Sequence, residues 1–174
     1  MKLQKQPLLL SVLLLISTVP LLAQGEKVAM RTTGSSCGVC AMVAEINFKR
    51  MAGVDGVAIS LAKEAIIISY KPGADFSPRR LREILQPIEV GVTQFQISAP
   101  GCVQEQDGKR FFVAGKDKFV LVPAGDAPIP SGTPVLIEAI LNDRADPMEL
   151  KILRVSSPGA GRAPCPNMTR SPGS

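Results

Sequence analysis

The chain has 174 residues, a formal net charge of +5, four Cys, no His and no Trp. The absence of His rules out a His-dependent hydrolytic triad and His-ligated metal, and no Gly-rich phosphate loop is present. The charge is too mild to argue for a nucleic-acid partner.

Met1-Lys2-Leu3-Gln4-Lys5 is followed by a leucine-rich, uncharged run from Leu8 to Ala23 that Pro20 interrupts. This is the layout of a secretory signal peptide, with cleavage expected after Ala23. The alternative is an uncleaved N-terminal membrane anchor. Removing residues 1–23 takes away Lys2 and Lys5, leaving 151 residues and a net charge of +3. The expected location is exported, periplasmic or extracellular.

Lys27 to Thr32 alternates apolar and polar residues as a half-buried strand does. The loop Thr33-Gly34-Ser35-Ser36 then leads into Cys37-Gly38-Val39-Cys40, and the run from Cys40 is free of Gly and Pro until Gly53. Ala44, Phe48 and Met51 recur there at helical spacing. Both cysteines therefore fall at or near a helix N-terminus, where the backbone dipole favours thiolate. Thiolate binds soft metals and also attacks disulfides, so one local geometry serves two chemistries.

Val57, Ile59 and Leu61 alternate as a strand, Lys63-Glu64 turns, and Ala65 to Tyr70 reads as a second, more apolar strand stopped by Lys71-Pro72-Gly73. Ser77-Pro78 starts a second helix, with Ser as cap and Pro at the first helical position. Leu81, Ile84, Leu85 and Ile88 give its apolar stripe, Pro87 truncates it and Gly91 closes it. Arg79, Arg80 and Arg82 read as a solvated helix face. Val92 to Ser98 alternates again. The order strand, helix, strand, strand, helix, strand is the α+β ferredoxin-like βαββαβ arrangement.

Ala99-Pro100-Gly101 reads as a domain boundary. Strand signals follow at Arg110 to Val113, Lys118 to Val122, Pro134 to Leu141 and Leu150 to Val155, and predict a small all-β module, for which a barrel of the oligonucleotide/oligosaccharide-binding type is the expected form. The resulting division is signal peptide 1–23, ferredoxin-like domain 24–100, β-module 101–156 and a disordered tail 157–174 rich in Pro, Gly and Ser. That tail composition argues against fixed geometry for Cys165, so its pairing with Cys102 stays open. Asn167-Met168-Thr169 fits the glycosylation triplet.

Residues 27–98 resemble the heavy-metal-associated domain of metallochaperones, of the N-terminal modules of metal-pumping ATPases and of the periplasmic mercuric-ion binding protein. The resemblance rests on Cys37 and Cys40 together with Ala44, Glu45, Phe48 and Met51, the Gly53-Val54 turn, Val57, Ile59 and Leu61, and Ile66, Ile68, Tyr70 and Pro72. It departs at Ser35 and Ser36, where the family has Met and Thr, and at Gly91-Val92, where bacterial members place Gly-Tyr or Gly-Phe.

The resemblance implies metal binding by Cys37 and Cys40, handed to a metal-transporting membrane protein or buffered, with no catalysis of a substrate reaction. Two thiolates suit a soft ion at low coordination number. Structural Zn(II) wants four ligands, and no Asp or Glu adjoins the Cys pair in sequence. Cu(I) is the first expectation, with Hg(II), Zn(II) and Cd(II) left open. Met30 and Met42 lie close in sequence and read as core packing rather than ligands. The competing expectations are a thiol–disulfide redox protein and a passive adaptor whose cysteines are oxidised.

Overall fold

The computed structural model describes residues 26–34, 37–122, 129, 131–158 and 165. The expected signal peptide, the glycosylation triplet and the disordered tail apart from Ser157, Pro158 and Cys165 lie outside these residues. Among the described residues no helix is long and apolar enough to cross a membrane.

The elements run β1 (Lys27–Thr33), α1 (Gly38–Lys49), β2 (Val54–Ser60), β3 (Ala65–Tyr70), α2 (Pro78–Leu85), β4 (Gly91–Gln106), β5 (Lys109–Ala114), β6 (Asp117–Val122), β7 (Pro134–Asn142) and β8 (Glu149–Ser156). The first six have the expected βαββαβ order, and their strands lie side by side as β2-β3-β1-β4, all antiparallel. Alternation selects the buried face. Val28 and Met30 of β1 lie opposite Ile68 and Ile66 of β3 on one side and Ile97 and Phe95 of β4 on the other, and all six are buried. With Ala44 and Phe48 of α1 and Leu81 and Leu85 of α2 they form one core.

The start of α2 follows local chemistry. The Ser77 hydroxyl accepts from the Arg80 N–H at 3.3 Å and Pro78 occupies the first turn. Its end differs from expectation. Pro87 draws residues Gln86–Ile88 into a 3₁₀ turn, and Glu89, not Gly91, stops the helix with a left-handed φ of 55°. Gly91 instead opens β4 beside β1, where a Cβ would come within 2.7 Å of the Thr33 hydroxyl.

No break in the chain's regular structure marks Ala99-Pro100-Gly101, read above as a domain boundary. β4 runs straight through it for 16 residues. One edge of β4 pairs with β1 as far as Ser98 and with β5 from Cys102 onward, while its other edge pairs with β7 from Phe95 to Cys102. The three residues thus sit where β4 changes partner. Pro100 has no N–H to offer in that gap. Gly101 permits close approach: an added Cβ would lie 2.4 Å from the Val113 carbonyl oxygen and 2.5 Å from the Phe112 ring. A chain cut after Ser98 would end in the middle of the β4–β7 ladder, since Ser98 pairs with Glu138.

The later strands close a ring of pairings, β4-β5-β6-β8-β7-β4, in which β6 and β8 are parallel and every other pair antiparallel. The buried residues of β4 thereby belong to both halves. Phe95, Ile97 and Ala99 stand opposite Leu141, Ala139 and Ile137 of β7, so the core continues from one half of the molecule into the other.

Side chains fasten the same junction. Arg82 grips Asp143 with two bonds, Nε to Oδ2 at 2.9 Å and Nη2 to Oδ1 at 3.1 Å, donates from Nη1 to the Val92 carbonyl at 2.7 Å and lies 4.9 Å from the centre of the Phe95 ring. This corrects the reading of Arg82 as part of a solvated face: it is a partly buried clamp, and Asp143 is still more buried. Arg79 pairs with Glu83 along exposed α2. A disulfide joins Cys102 to Cys165 across a Cα separation of 5.8 Å, so Cys165 has a fixed partner despite the composition around it.

Two expectations follow. Gly101→Ala should destabilise the protein by about 1–3 kcal/mol, because its Cβ would meet the Val113 backbone carbonyl and the fully buried Phe112 ring, which the core holds in place. Pro100→Ala should be close to neutral, and chemical denaturation of both variants checks the contrast.

The second concerns the carboxylates where β1 meets the β5–β6 turn. Burial, and then the charge of Asp117, push the Glu26 carboxyl above its ordinary value; burial and Asp75 do the same to Asp117, against the opposing effect of Lys116. Folding therefore favours the protonated forms. Their contribution is present below the ordinary carboxylate range and is lost as pH rises through the raised values. Asp117→Asn should accordingly gain stability at neutral pH and show a smaller loss of stability between pH 4 and 7 than the parent, read from denaturation midpoints.

Candidate metal site

Cys37 is the N-cap of α1. Its backbone is extended (φ −81°, ψ 116°), its carbonyl accepts the first helical bond from the Ala41 N–H at 3.0 Å, and its Sγ accepts from the Cys40 N–H at 3.2 Å. The sulfur therefore stands where Ser or Asp caps most helices, facing the positive end of the helix. Cys40 lies one turn along, half-buried, whereas Cys37 is exposed. Both are free thiols.

Three chain segments brace the loop that carries them. Thr32, buried at the end of β1, takes the Glu64 carbonyl with both its N–H (2.8 Å) and its hydroxyl (2.9 Å), tying the loop to the β2–β3 turn. Gly34, with φ of +79°, abuts the end of α2: an added Cβ would lie 3.0 Å from the Glu89 carbonyl oxygen. Thr33 pairs with Gly91 at the start of β4. Ser35 and Ser36, the two departures from the family pattern before the first Cys, lie outside the described residues.

The two thiols are electrostatically unlike. The hydrogen bond from the Cys40 side chain, joined by the Cys40 and Val39 backbone N–H groups, lowers the Cys37 pKa below that of an ordinary thiol. The same bond raises that of Cys40, and burial, the neighbouring Cys37 charge and Glu89 add to the rise. Glu89 is the residue that reading along the chain misses. It is 49 positions from Cys40, and only the return of β4 beside β1 brings the end of α2 to the loop. Its one sequence signal is Pro87, which places the helix end.

Val92 is buried in β4 opposite Thr32. Met30 is fully buried in the core as expected, whereas Met42, also read as core packing, is exposed on the outer side of α1. Among the described residues no group of three or more His, Cys, Asp or Glu is arranged to hold a metal. The donor set is thus two thiols on an exposed turn, which fits a soft ion of low coordination and falls short of the four ligands of structural Zn(II).

No protein-family model matches the chain, and no curated protein is similar to it. Solved structures that it resembles include one described as "Crosstalk between Cu(I) and Zn(II) homeostasis", at 19% identity over 38% of this chain and 94% of that one, with a TM-score of 0.34. A yeast copper transporter domain, solved in apo and Cu(I)-loaded states, is 18% identical over 39% of this chain and 90% of its own length, at a TM-score of 0.34. The water-soluble region of the P-type ATPase CopA from Bacillus subtilis is 25% identical over 48% of this chain and 54% of that one, at 0.36.

Exposure and electrostatics act in the same direction on the cysteine pair. In the reduced protein near neutral pH, Cys37 should be alkylated several-fold faster than Cys40, as read by peptide mass over time. Equal rates, or faster modification of Cys40, would contradict the described geometry.

Proposed function

We propose that this protein is an exported soft-metal binder that captures Cu(I) through the Cys37 and Cys40 thiolates and buffers it or passes it to a metal-transporting membrane protein. The observation that carries the reading is the cysteine pair itself: two free thiols at the cap of α1, one exposed and acidified, one half-buried behind it. A donor set of two thiolates favours Cu(I) or Hg(II) over Zn(II), which would need further ligands. Exposure of Cys37 suits ligand exchange, because an incoming thiolate can reach the ion before the first bond breaks. The ion is cargo, and no substrate bond is made or broken.

Export is supported by the leader-like N-terminal sequence and by the Cys102–Cys165 disulfide, since such bonds persist in oxidising compartments. The five-stranded ring from β4 to β8 is consistent with a small barrel of the oligonucleotide/oligosaccharide-binding type appended to a heavy-metal-associated domain.

A redox role is the second reading, favoured by the unequal thiols: an exposed, acidified first Cys with a less acidic second one is also how disulfide exchange is arranged. The two readings separate experimentally. Anaerobic competition titration should give one Cu(I) per reduced chain, with Cys37→Ser and Cys40→Ser each weakening binding by at least 100-fold while thermal unfolding is unchanged. Near-normal affinity in either variant, together with disulfide reductase activity in the parent, would replace the metal reading with the redox one.

A further inference from the structure

β6 lies between β5 and β8, and a cavity of about 590 Å³ opens along these three strands. That volume falls in the range of roughly 300–1,000 Å³ that small-ligand sites occupy. Its charges are sorted by side. Lys109 and Arg110 line the β5 side beside the Phe111 ring, while Glu149 of β8 and Asp146 of the connection before it line the other. Between them β6 contributes only the apolar stretch from Val120 to Val122. Phe111, Val120 and Glu149 stand in one row across the three strands, so two strand spacings, roughly 10 Å, separate the two sides.

The intervening strand keeps these opposite charges from pairing with each other. Arg110 is partly buried and gives Nη2 to the Ile129 carbonyl, yet among the described residues neither it nor Lys109 forms an ion pair. A partly buried guanidinium is costly to leave so. Glu149 accepts from the Asn142 amide at 3.0 Å on Oε2, and Asp146 forms no ion pair among the same residues. Lys118 adds a third cation beside Phe111, 4.1 Å from the ring centre.

We propose that this cavity binds a short peptide by its two ends, with the terminal carboxylate on Lys109 and Arg110 and the terminal ammonium on Asp146 and Glu149. Arginine suits the first role because its planar donors match a carboxylate in pairs. Length suits as well, since three extended residues span roughly 10 Å. The Phe111 ring and the apolar stretch of β6 then take the side chain between the two termini. Other ligand classes satisfy one side and offend the other. A nucleic-acid strand or other polyanion meets repulsion from Asp146 and Glu149, and a fatty acid leaves both carboxylates without a partner. No residue lining the cavity belongs to α1 or to the loop before it, so the proposal does not depend on the metal reading.

The test is isothermal titration of the purified full chain, with the Cys102–Cys165 disulfide intact and no metal added, against the tripeptide Ala-Leu-Ala. One peptide per chain should bind, and blocking either end, by N-acetylation or by C-amidation, should weaken binding about tenfold. Arg110→Gln should weaken the free peptide to the same extent and bind free and amidated peptides alike. Glu149→Gln should bind free and acetylated peptides alike. Each variant thus loses its sensitivity to one end only, which general damage to the fold would not produce. Lys109→Gln, on the surface, reads the carboxylate end a second time if Arg110→Gln fails to fold. Lys63→Gln, in the turn before β3, removes the same charge elsewhere and should change nothing. Absence of binding, or equal binding of the free peptide and one blocked at both ends, would overturn the proposal. So would tighter binding of tetragalacturonate, an acidic saccharide, or of maltotetraose, a neutral one. A loss in Lys63→Gln equal to that in Lys109→Gln would reduce the effect to overall charge and overturn it too.

Discussion

The structure depends on β4 having three partners. A strand at the edge of a ferredoxin-like sheet normally leaves one row of N–H and C=O groups unpaired, which is a liability because another chain can pair with it. Here β7 pairs with that edge from Phe95 to Cys102 while β1 and then β5 share the other. Because strand pairing alternates side chains strictly, the same residues must satisfy both halves: Phe95, Ile97 and Ala99 lie under the helices and also opposite β7. The Arg82–Asp143 clamp closes over this junction, and its guanidinium also holds the backbone of Val92 inside the same strand.

The ferredoxin-like half was legible because its signals are local. Alternation in β1 and β3, the Ser77-Pro78 helix start and the truncating effect of Pro87 each act within a few residues, and each appears where local chemistry puts it. The misreadings share one cause, which is distance along the chain. Ala99-Pro100-Gly101 looks like a turn because Pro and Gly usually punctuate, but they serve here as a donorless position and a close approach within a strand whose partners lie elsewhere in the sequence. Arg82 looks solvated until Asp143, 61 residues later, reaches it. Cys165 sits in a segment whose composition says nothing of Cys102.

The candidate site divides the same way. The placement of Cys37 and Cys40 at a helix start could be read from the flanking Gly and Ser, and so could the direction in which the helix would acidify the exposed sulfur. The environment of Cys40 could not. Glu89 acts against its ionisation from the end of another helix, whose last carbonyl lies so close to residue 34 that only Gly fits there. The pair is thereby biased so that one sulfur carries the charge when the other does not, a division that neither residue type nor spacing dictates.

A shared strand has a mechanical meaning. Two domains joined by a linker can turn independently, and whatever one of them binds wanders relative to the other. In this protein no linker exists between the helix-covered sheet and the five-strand ring, since the same unbroken backbone is a wall of both and a salt bridge spans their seam. Cys37 and Cys40 at the start of α1 therefore keep a constant bearing and distance from the ring. Anything that grasps the ring therefore also fixes the direction in which the two thiols face, before any second molecule reaches them.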